Sequence, residues 1–268
     1  MLLSNKTAVI YGAGGSLGGA VSKAFAAAGA RVFLTGPSME SLQKIADEIS
    51  SFGAKAEVDL VDAFDQGAIE RHLQKVGVVD ISFNAAGVDV IQNKPLVEIA
   101  PDDFVGPVTQ TMQTRFLTAT AAARVMMKQK SGVILFLTAT PGGIGYPFTG
   151  GFAPACCAVE SLSRNLGSEL GIYGIRVVTI RSGGSPDSKV FSDALERNPA
   201  EMAVILRNLA NDTMLKRQPL MADIANTAVF LASDMAGMIT GVTVDVTAGT
   251  TAGLNYRVDQ TTFSQDFK

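Results

Sequence analysis

The sequence predicts a three-layer α/β fold: one doubly wound parallel sheet of about seven strands with helices on both faces. Three observations carry this expectation. Short apolar runs alternate with amphipathic stretches of helical period along nearly all of the 268 residues. A glycine-rich segment follows the first apolar run. No linker, repeat or low-complexity tract interrupts the alternation, so a single domain is expected over 1–252, followed by a tail over 253–268.

The elements follow in order. Thr7 to Tyr11 is a strand, and after the glycine turn Leu17, Ala20, Val21, Ala24, Phe25 and Ala28 share one helix face, ended by Gly29. Arg31 to Thr35 is the second strand. Ser38 is placed as an N-cap before a helix carrying Leu42, Ile45 and Ile49. Lys55 to Leu60 is a strand, Ala68 to Val76 a helix and Val79 to Asn84 a strand. Thr109 to Gln129 and Phe152 to Leu170 are long helices flanking a β-rich strand, Gly132 to Thr138. Ile175 to Ile180, a helix at Ile224 to Leu231 and a strand at Val242 to Val246 complete the pattern. The segment 182–218 interrupts it with two short helical stretches. It lies beyond the carboxyl ends of the strands, where doubly wound sheets bind ligands, and is expected to form a substrate-side lid.

Composition narrows the function classes. Apolar residues make up 47% and charged residues 18%, which excludes a disordered chain. The net charge is −3 with no basic cluster, so nucleic acid is not expected as a partner. The longest apolar runs, such as Val133 to Leu137, are about five residues against the roughly 20 that a membrane span needs. Met1 to Lys6 contains no apolar leader segment. Cys156 and Cys157 are adjacent and make no disulfide framework, and one histidine without a Cys-x-x-Cys pair gives no metal-site pattern. A reduced, cytoplasmic protein is the expectation.

The segment Gly12-Ala13-Gly14-Gly15-Ser16-Leu17-Gly18 joins the first strand to the first helix. Glycines there permit a tight turn and close approach of a pyrophosphate, and the helix N-terminus supplies N–H donors and positive potential. In this position the motif points to a Rossmann-type dinucleotide site.

The spacing resembles the glycine motif of the short-chain dehydrogenase/reductase family, Gly-x-x-x-Gly-x-Gly, with Ser16 at the middle glycine. Asn84-Ala85-Ala86-Gly87 is similar to the family's Asn-Asn-Ala-Gly, Asp59-Leu60 to its adenine-side acidic motif, and Ile175-Arg176-Val177 and Ile239-Thr240-Gly241 to its last two strand signatures. The resemblance covers nearly the whole chain. It implies NAD or NADP as cofactor, held by Gly12, Gly15, Ser16, Leu17, Gly18, Asp59, Leu60, Asn84, Ala85, Gly87 and Gly183, with Thr35 or Ser38 at the ribose. The stretch Leu34 to Ser38 carries no charge that would choose between the two nucleotides. It also implies a dimer or tetramer built on the helices at 109–129 and 152–170.

The family's chemistry uses Asn, Ser, Tyr and Lys, the last two as Tyr-x-x-x-Lys on one helix face. Here Tyr11, Tyr146, Tyr173 and Tyr256 are followed four residues on by Gly15, Gly150, Val177 and Gln260, and no lysine lies between Lys130 and Lys189. Ala158-Val159-Glu160-Ser161-Leu162 resembles the segment after the lysine. That similarity puts Phe152 at the Tyr position, Cys156 at the Lys position, Ala139 at the Ser position and Thr111 at the Asn position. The Pro-Gly after the sixth strand becomes Ser182-Gly183, and a carboxamide-binding Thr becomes Asp187. Phe152 donates no proton and Ala139 offers no hydroxyl, while a cysteine is neutral near pH 7.

Substitute groups remain open. Tyr146 is either an apolar wall or a replacement acid, since catalysis needs only reach and a suitable pKa. Thr138 and Thr140 flank Ala139 and are either structural or a recovered hydroxyl. Cys156 is expected to be an inert small hydrophobe rather than a nucleophile. Arg115 is expected to be a salt-bridged helix arginine, with an anionic substrate as the alternative. His72 is expected at the surface. Two functions stay in view. One is an NAD(P)-binding oxidoreductase with a reworked centre, acting on a small, largely apolar carbonyl or alcohol or on a redox-neutral step. The other is a silent subunit or ligand-binding scaffold, homo-oligomeric or paired with an active chain of the same family.

Overall fold

The computed structural model describes residues 1–253, so the expected tail, apart from Gly253, lies outside the described residues. The first half of the chain alternates strictly: β1 (Thr7–Tyr11), α1 (Ser16–Ala27), β2 (Arg31–Gly36), α2 (Met39–Ser51), β3 (Ala56–Leu60), α3 (Gln66–Val76) and β4 (Ile81–Asn84). The second half is built from α4 (Pro101–Gln129), β5 (Gly132–Ala139), α5 (Phe152–Leu170), β6 (Ile175–Ser182), α6 (Lys189–Arg197), α7 (Pro199–Asn211), α8 (Met221–Ala232) and β7 (Val242–Val246). The strands form one seven-stranded sheet in the order β3-β2-β1-β4-β5-β6-β7, and every pair is parallel. Chain order reverses between β1 and β4, which opens a crevice at the carboxyl ends of the strands.

Alternation along the strands sorts the core into two layers. Ile10, Leu34, Phe83 and Ile180 meet α1, α2 and α8 through Val21, Phe25, Leu42, Ile49, Ile224 and Leu231. Val9, Tyr11, Phe136 and Val177 meet α3, α4 and α5 through Ile69, Leu73, Ala122, Met126, Val159 and Leu166. Each fully buried large side chain contributes ~1.5–3 kcal/mol of burial free energy. Phe25 and Phe83 add an edge-to-face contact, with ring centroids 6.4 Å apart.

Local signals set most boundaries. Ser38 Oγ accepts from the Ser41 amide at 3.3 Å and Asp65 Oδ1 from the Ala68 amide at 3.0 Å, so both act as N-caps. Gly29 turns the chain out of α1 at φ 98. The expected Thr109 start of the fourth helix is corrected to Pro101. Pro101 opens the helix, and Asp102 and Asp103 sit in its first turn, where they favour the dipole. Pro107 lies inside without breaking it, losing one backbone bond. Its side chain packs where α5 begins, 3.5 Å from the point a Cβ on Gly151 would occupy.

His72 is also corrected. It is 5% exposed, not a surface residue. Its ring packs edge-on against Phe33 with centroids 5.9 Å apart, and Nε2 lies 3.5 Å from Asp59 Oδ2. Burial lowers its pKa more than nearby Asp59 raises it, so the imidazole is neutral at pH 7 and the contact is not an ion pair.

Candidate active site

The glycine turn sits at the crevice. Thr35 places it: its carbonyl accepts the Gly12 and Ala13 amides at 3.0 and 3.1 Å, while its hydroxyl donates to the Ile10 carbonyl. Thr35 is fully buried and the Ser38 hydroxyl is engaged as the cap, and neither lines the groove that runs from the turn. Gly12 adopts φ +74, and a Cβ on it would fall 2.7 Å from the Ala86 amide. A Cβ on Gly18 would lie 2.1 Å from the Gly12 carbonyl, so strand end and helix start touch backbone to backbone. The first-turn amides of α1, at Ser16, Leu17 and Gly18, have no intrahelical acceptor and no acidic neighbour in that turn.

A groove of about 290 Å³ runs from this turn across the ends of β2, β3 and β4. Gly12, Gly14, Gly15, Pro37, Ser41, Asp62, Ala63, Phe64 and Ala85 to Gly87 line it. The expected Asp59-Leu60 pair does not. Asp59 points toward α3, bonding Lys75 Nζ at 2.6 Å, and Leu60 is 57% exposed. The register explains the difference: β3 stays paired through Leu60, opposite Gly36, and the chain reaches the groove only at Val61. Asp62 takes the place expected for Asp59. The signal was present in the sequence, because Asp65 caps α3 and fixes the count backwards.

Asn84 is the brace expected of it. Its Nδ2 donates to the Thr114 carbonyl and Thr118 Oγ1, and its Oδ1 accepts the Ala86 amide at 2.8 Å.

On the other side of the turn lies a cavity of about 400 Å³. Leu17, Phe152, Val190, Phe191, Leu209 and Pro219 give it apolar walls, so α6 and α7 border it. The start of α6 is tied to the turn where the Lys189 amide donates to Ser16 Oγ at 3.1 Å. Ala139, Thr140, Tyr146, Thr149, Ser182 and Gly183 also face the cavity. Thr138 does not: its hydroxyl is buried and donates to Glu160 Oε1 at 3.0 Å. Thr140 is also engaged, donating to the Ser182 carbonyl at 3.3 Å. Tyr146 is 37% exposed, and its hydroxyl is held in the protonated form above the usual tyrosine range, by partial burial and by Asp212 across the cavity. Asp212 is the one charged side chain among the lining residues described. Asp187 is turned away, accepting the Met221 amide at the start of α8.

Beneath the floor, Arg181 holds Glu160 through two bonds, at 2.9 and 2.6 Å, and Asp245 at 2.8 Å. This network joins α5, β6 and β7 and carries the strand ends that present Ala139 and Ser182. Cys156 is buried beside it, and burial pushes its thiol up to about 11, so it is neither nucleophile nor cation at pH 7. Arg115 corrects the salt-bridge expectation. No carboxylate pairs with it among the described residues. Its Nη1 donates to Asn84 Oδ1 at 2.7 Å, the Ala86 carbonyl at 2.9 Å and Thr114 Oγ1 at 3.1 Å. Thr111 lies one turn earlier on the same helix.

Residues 12–251 match the family model described as enoyl-(acyl carrier protein) reductase. The chain belongs to the short-chain dehydrogenase/reductase family. The 3alpha-hydroxysteroid dehydrogenase of Mediterraneibacter gnavus is 30% identical to this family member over 252 residues, covering 92% of this chain and 97% of that one. The 3-oxoacyl-[acyl-carrier-protein] reductase of Escherichia coli is 28% identical over 255 residues, 93% of this chain and 98% of that one. The crystal structure of levodione reductase superposes with a TM-score of 0.85 at 25% identity, covering 94% of this chain and all of that one. The chain is thus a short-chain dehydrogenase/reductase by sequence and by fold, in a family of NAD(P)-dependent oxidoreductases. Among the described residues no helix is long and apolar enough to cross a membrane, and no group of three His, Cys, Asp or Glu is placed to hold a metal.

Proposed function

We propose that the chain binds NAD or NADP and works as an oxidoreductase with a non-standard centre on a small, largely apolar carbonyl or alcohol. The observation that carries this reading is the apolar cavity of about 400 Å³ directly beside the glycine turn. The nucleotide fits the residues present. The backbone crowding at Gly12 and Gly18 is what a phosphate-cradling turn requires, and the first-turn amides of α1 point their partial charge at it. The groove with Asp62 and Ala63 suits the adenosine end, and Gly183, Leu17 and Thr140 border the nicotinamide end. The cofactor would supply hydride. The chain's own residues position the substrate oxygen and deliver its proton, a task that falls to the Tyr146 hydroxyl with Thr140, the next residue after Ala139, also lining the cavity. A redox-neutral step on the same substrate class would use the same groups.

A second reading is favoured by a specific observation: Ala139 and Phe152 line the cavity with no hydroxyl of their own, and Cys156 is a buried, uncharged thiol in place of a lysine. On that reading the chain is a silent subunit or ligand-binding scaffold. It would pair with itself or with an active relative through α4 and α5, whose outer face exposes Phe116. Binding of NADH and NADPH to the purified chain, followed by calorimetry and by reduced-nicotinamide fluorescence, separates the readings. Micromolar binding of one nucleotide, followed by turnover in a carbonyl screen, supports the enzyme. Binding without turnover supports the scaffold. No binding of either nucleotide sinks the cofactor-using enzyme.

A further inference from the structure

The walls of the 400 Å³ cavity carry one charge and three aromatic rings among the described residues. The charge is that of Asp212, at the end of α7, and no Lys, Arg or His lines the space. The rings are those of Tyr146, Phe152 and Phe191. Asp212 takes part in none of the ion pairs among the described residues. Lys216, the cation nearest to it in sequence, is engaged elsewhere: its Nζ donates to the Asn211 carbonyl at 2.7 Å. Lys189, at the start of α6, is held by Asp193 at 2.8 Å.

A carboxylate and aromatic rings around one space select for one sign of charge. The face of a ring is negative and attracts a cation, as the carboxylate does. An anionic substrate would meet no positive group on these walls. A neutral one would leave the carboxylate to water. An alkylammonium group on an apolar body uses everything the walls offer. Its carbon atoms pack against the rings and against Val190, Leu209 and Pro219, and its charge faces Asp212.

We propose that the cavity takes a substrate with a cationic end, a carbonyl compound or alcohol of apolar body that carries an alkylammonium group met by Asp212 and the rings of Tyr146, Phe152 and Phe191. The proposal rests on the reading of the cavity as the substrate site and deepens it by naming the substrate class. The substrate oxygen belongs at the end lined by Ala139, Thr140 and Ser182, and the ammonium at the end lined by Leu209 and Asp212. Asp212 is thus a specificity residue that fixes which end of the molecule enters first.

A matched pair of cyclic ketones isolates the charge. One is the dimethylpiperidinium ketone with its quaternary nitrogen opposite the carbonyl, and the other is the dimethylcyclohexanone with a quaternary carbon at that point. They share shape and carbonyl, and the first is cationic at every pH. Their affinities for the purified chain are read by ligand-observed NMR titration, with and without NADH or NADPH. The cation is expected to bind about 5- to 30-fold more tightly, the range of one partly exposed ion pair joined by cation–π contacts. Asp212→Asn is expected to lower that ratio at least about threefold, Asp212→Glu to keep most of it, and Phe191→Leu to lower it by a smaller factor. Equal affinities overturn the proposal, as do tighter binding of the neutral ketone, binding of neither ketone, or a ratio that survives Asp212→Asn. A chain that binds neither nucleotide but prefers the cation loses the cofactor reading and keeps the cation site. A chain that binds a nucleotide and shows no preference for the cation keeps the cofactor reading and loses this one.

Discussion

Phe152 and Ala139 face the cavity without an ionisable atom or a hydroxyl between them, so on the proposed oxidoreductase reading the proton is assigned to Tyr146. The burden on that residue is measurable. In any carbonyl reduction the chain performs, Tyr146→Phe is expected to lower kcat by ~10²–10⁴-fold, the usual contribution of a positioned general acid, with little effect on nucleotide affinity. Its hydroxyl is shifted above the ordinary value of 10.0. The acid form therefore persists to higher pH, and the alkaline limb of the kcat profile should fall above that value; a limb near neutrality would assign the proton to another group. His72 makes a second prediction. Its folded pKa lies below its ordinary 6.5, so the unfolded chain binds the proton first. Its contribution is therefore complete above pH 6.5 and is lost as the pH falls from there through the folded value. Urea midpoints should drop between pH 7.5 and 5.5, and His72→Leu should flatten that part of the slope. Neither His72 nor Arg115 was legible in the sequence. Both stand on helices among polar neighbours, and only the tertiary packing of Phe33 over the imidazole, or of β4 and α5 around the guanidinium, reveals that they are buried.

Elements were read well where a period or a cap marks them and less well where neither does. The five-residue β7 and the nineteen-residue α5 match the sequence expectation at both bounds. α4 starts eight residues before the expected Thr109, because Pro101 opens it and the bond lost at Pro107 is readily absorbed in a helix of 29 residues. The slip from Asp62 to Asp59 has a different origin. Both are acidic residues near the end of β3, and only the cap at Asp65 sets the distance to α3. Asp65→Ala is expected to cost about 1 kcal/mol by urea unfolding, as loss of an N-cap does. Gly18→Ala should do more, because its Cβ would stand 2.1 Å from the Gly12 carbonyl and the turn must open to admit it. We expect that variant to lose measurable NADH and NADPH binding while retaining the far-UV signature of the fold. Wild-type affinity would show that the turn does not hold the nucleotide.

At the scale of the whole molecule, the alternating pattern and the glycine turn determine a parallel sheet whose order reverses beside β1, and that reversal alone locates the crevice. The groove and the cavity lie on opposite sides of the same turn. The Lys189 amide, bonded to Ser16 Oγ, connects the lid to that turn. On the proposed reading nucleotide and the segment 189–211 share one anchor, and α6 and α7 contribute no buried residue to the core. A segment held by so few contacts belongs to the low-stability end of the molecule. Nucleotide that binds only the folded chain should raise stability by about 2.7 kcal/mol at 100 times its Kd. For a chain of this size that corresponds to a thermal midpoint higher by roughly 5–11 °C. Amide exchange should slow in 189–211 together with the turn at 12–18, because ordering the phosphate turn fixes the Ser16 hydroxyl that holds the lid. Ser16→Gly, the residue of the family motif, is expected to keep the rise in midpoint but to uncouple the protection of 189–211 from it. If protection of the lid still follows nucleotide in that variant, the bond between Ser16 and Lys189 is not the link between them.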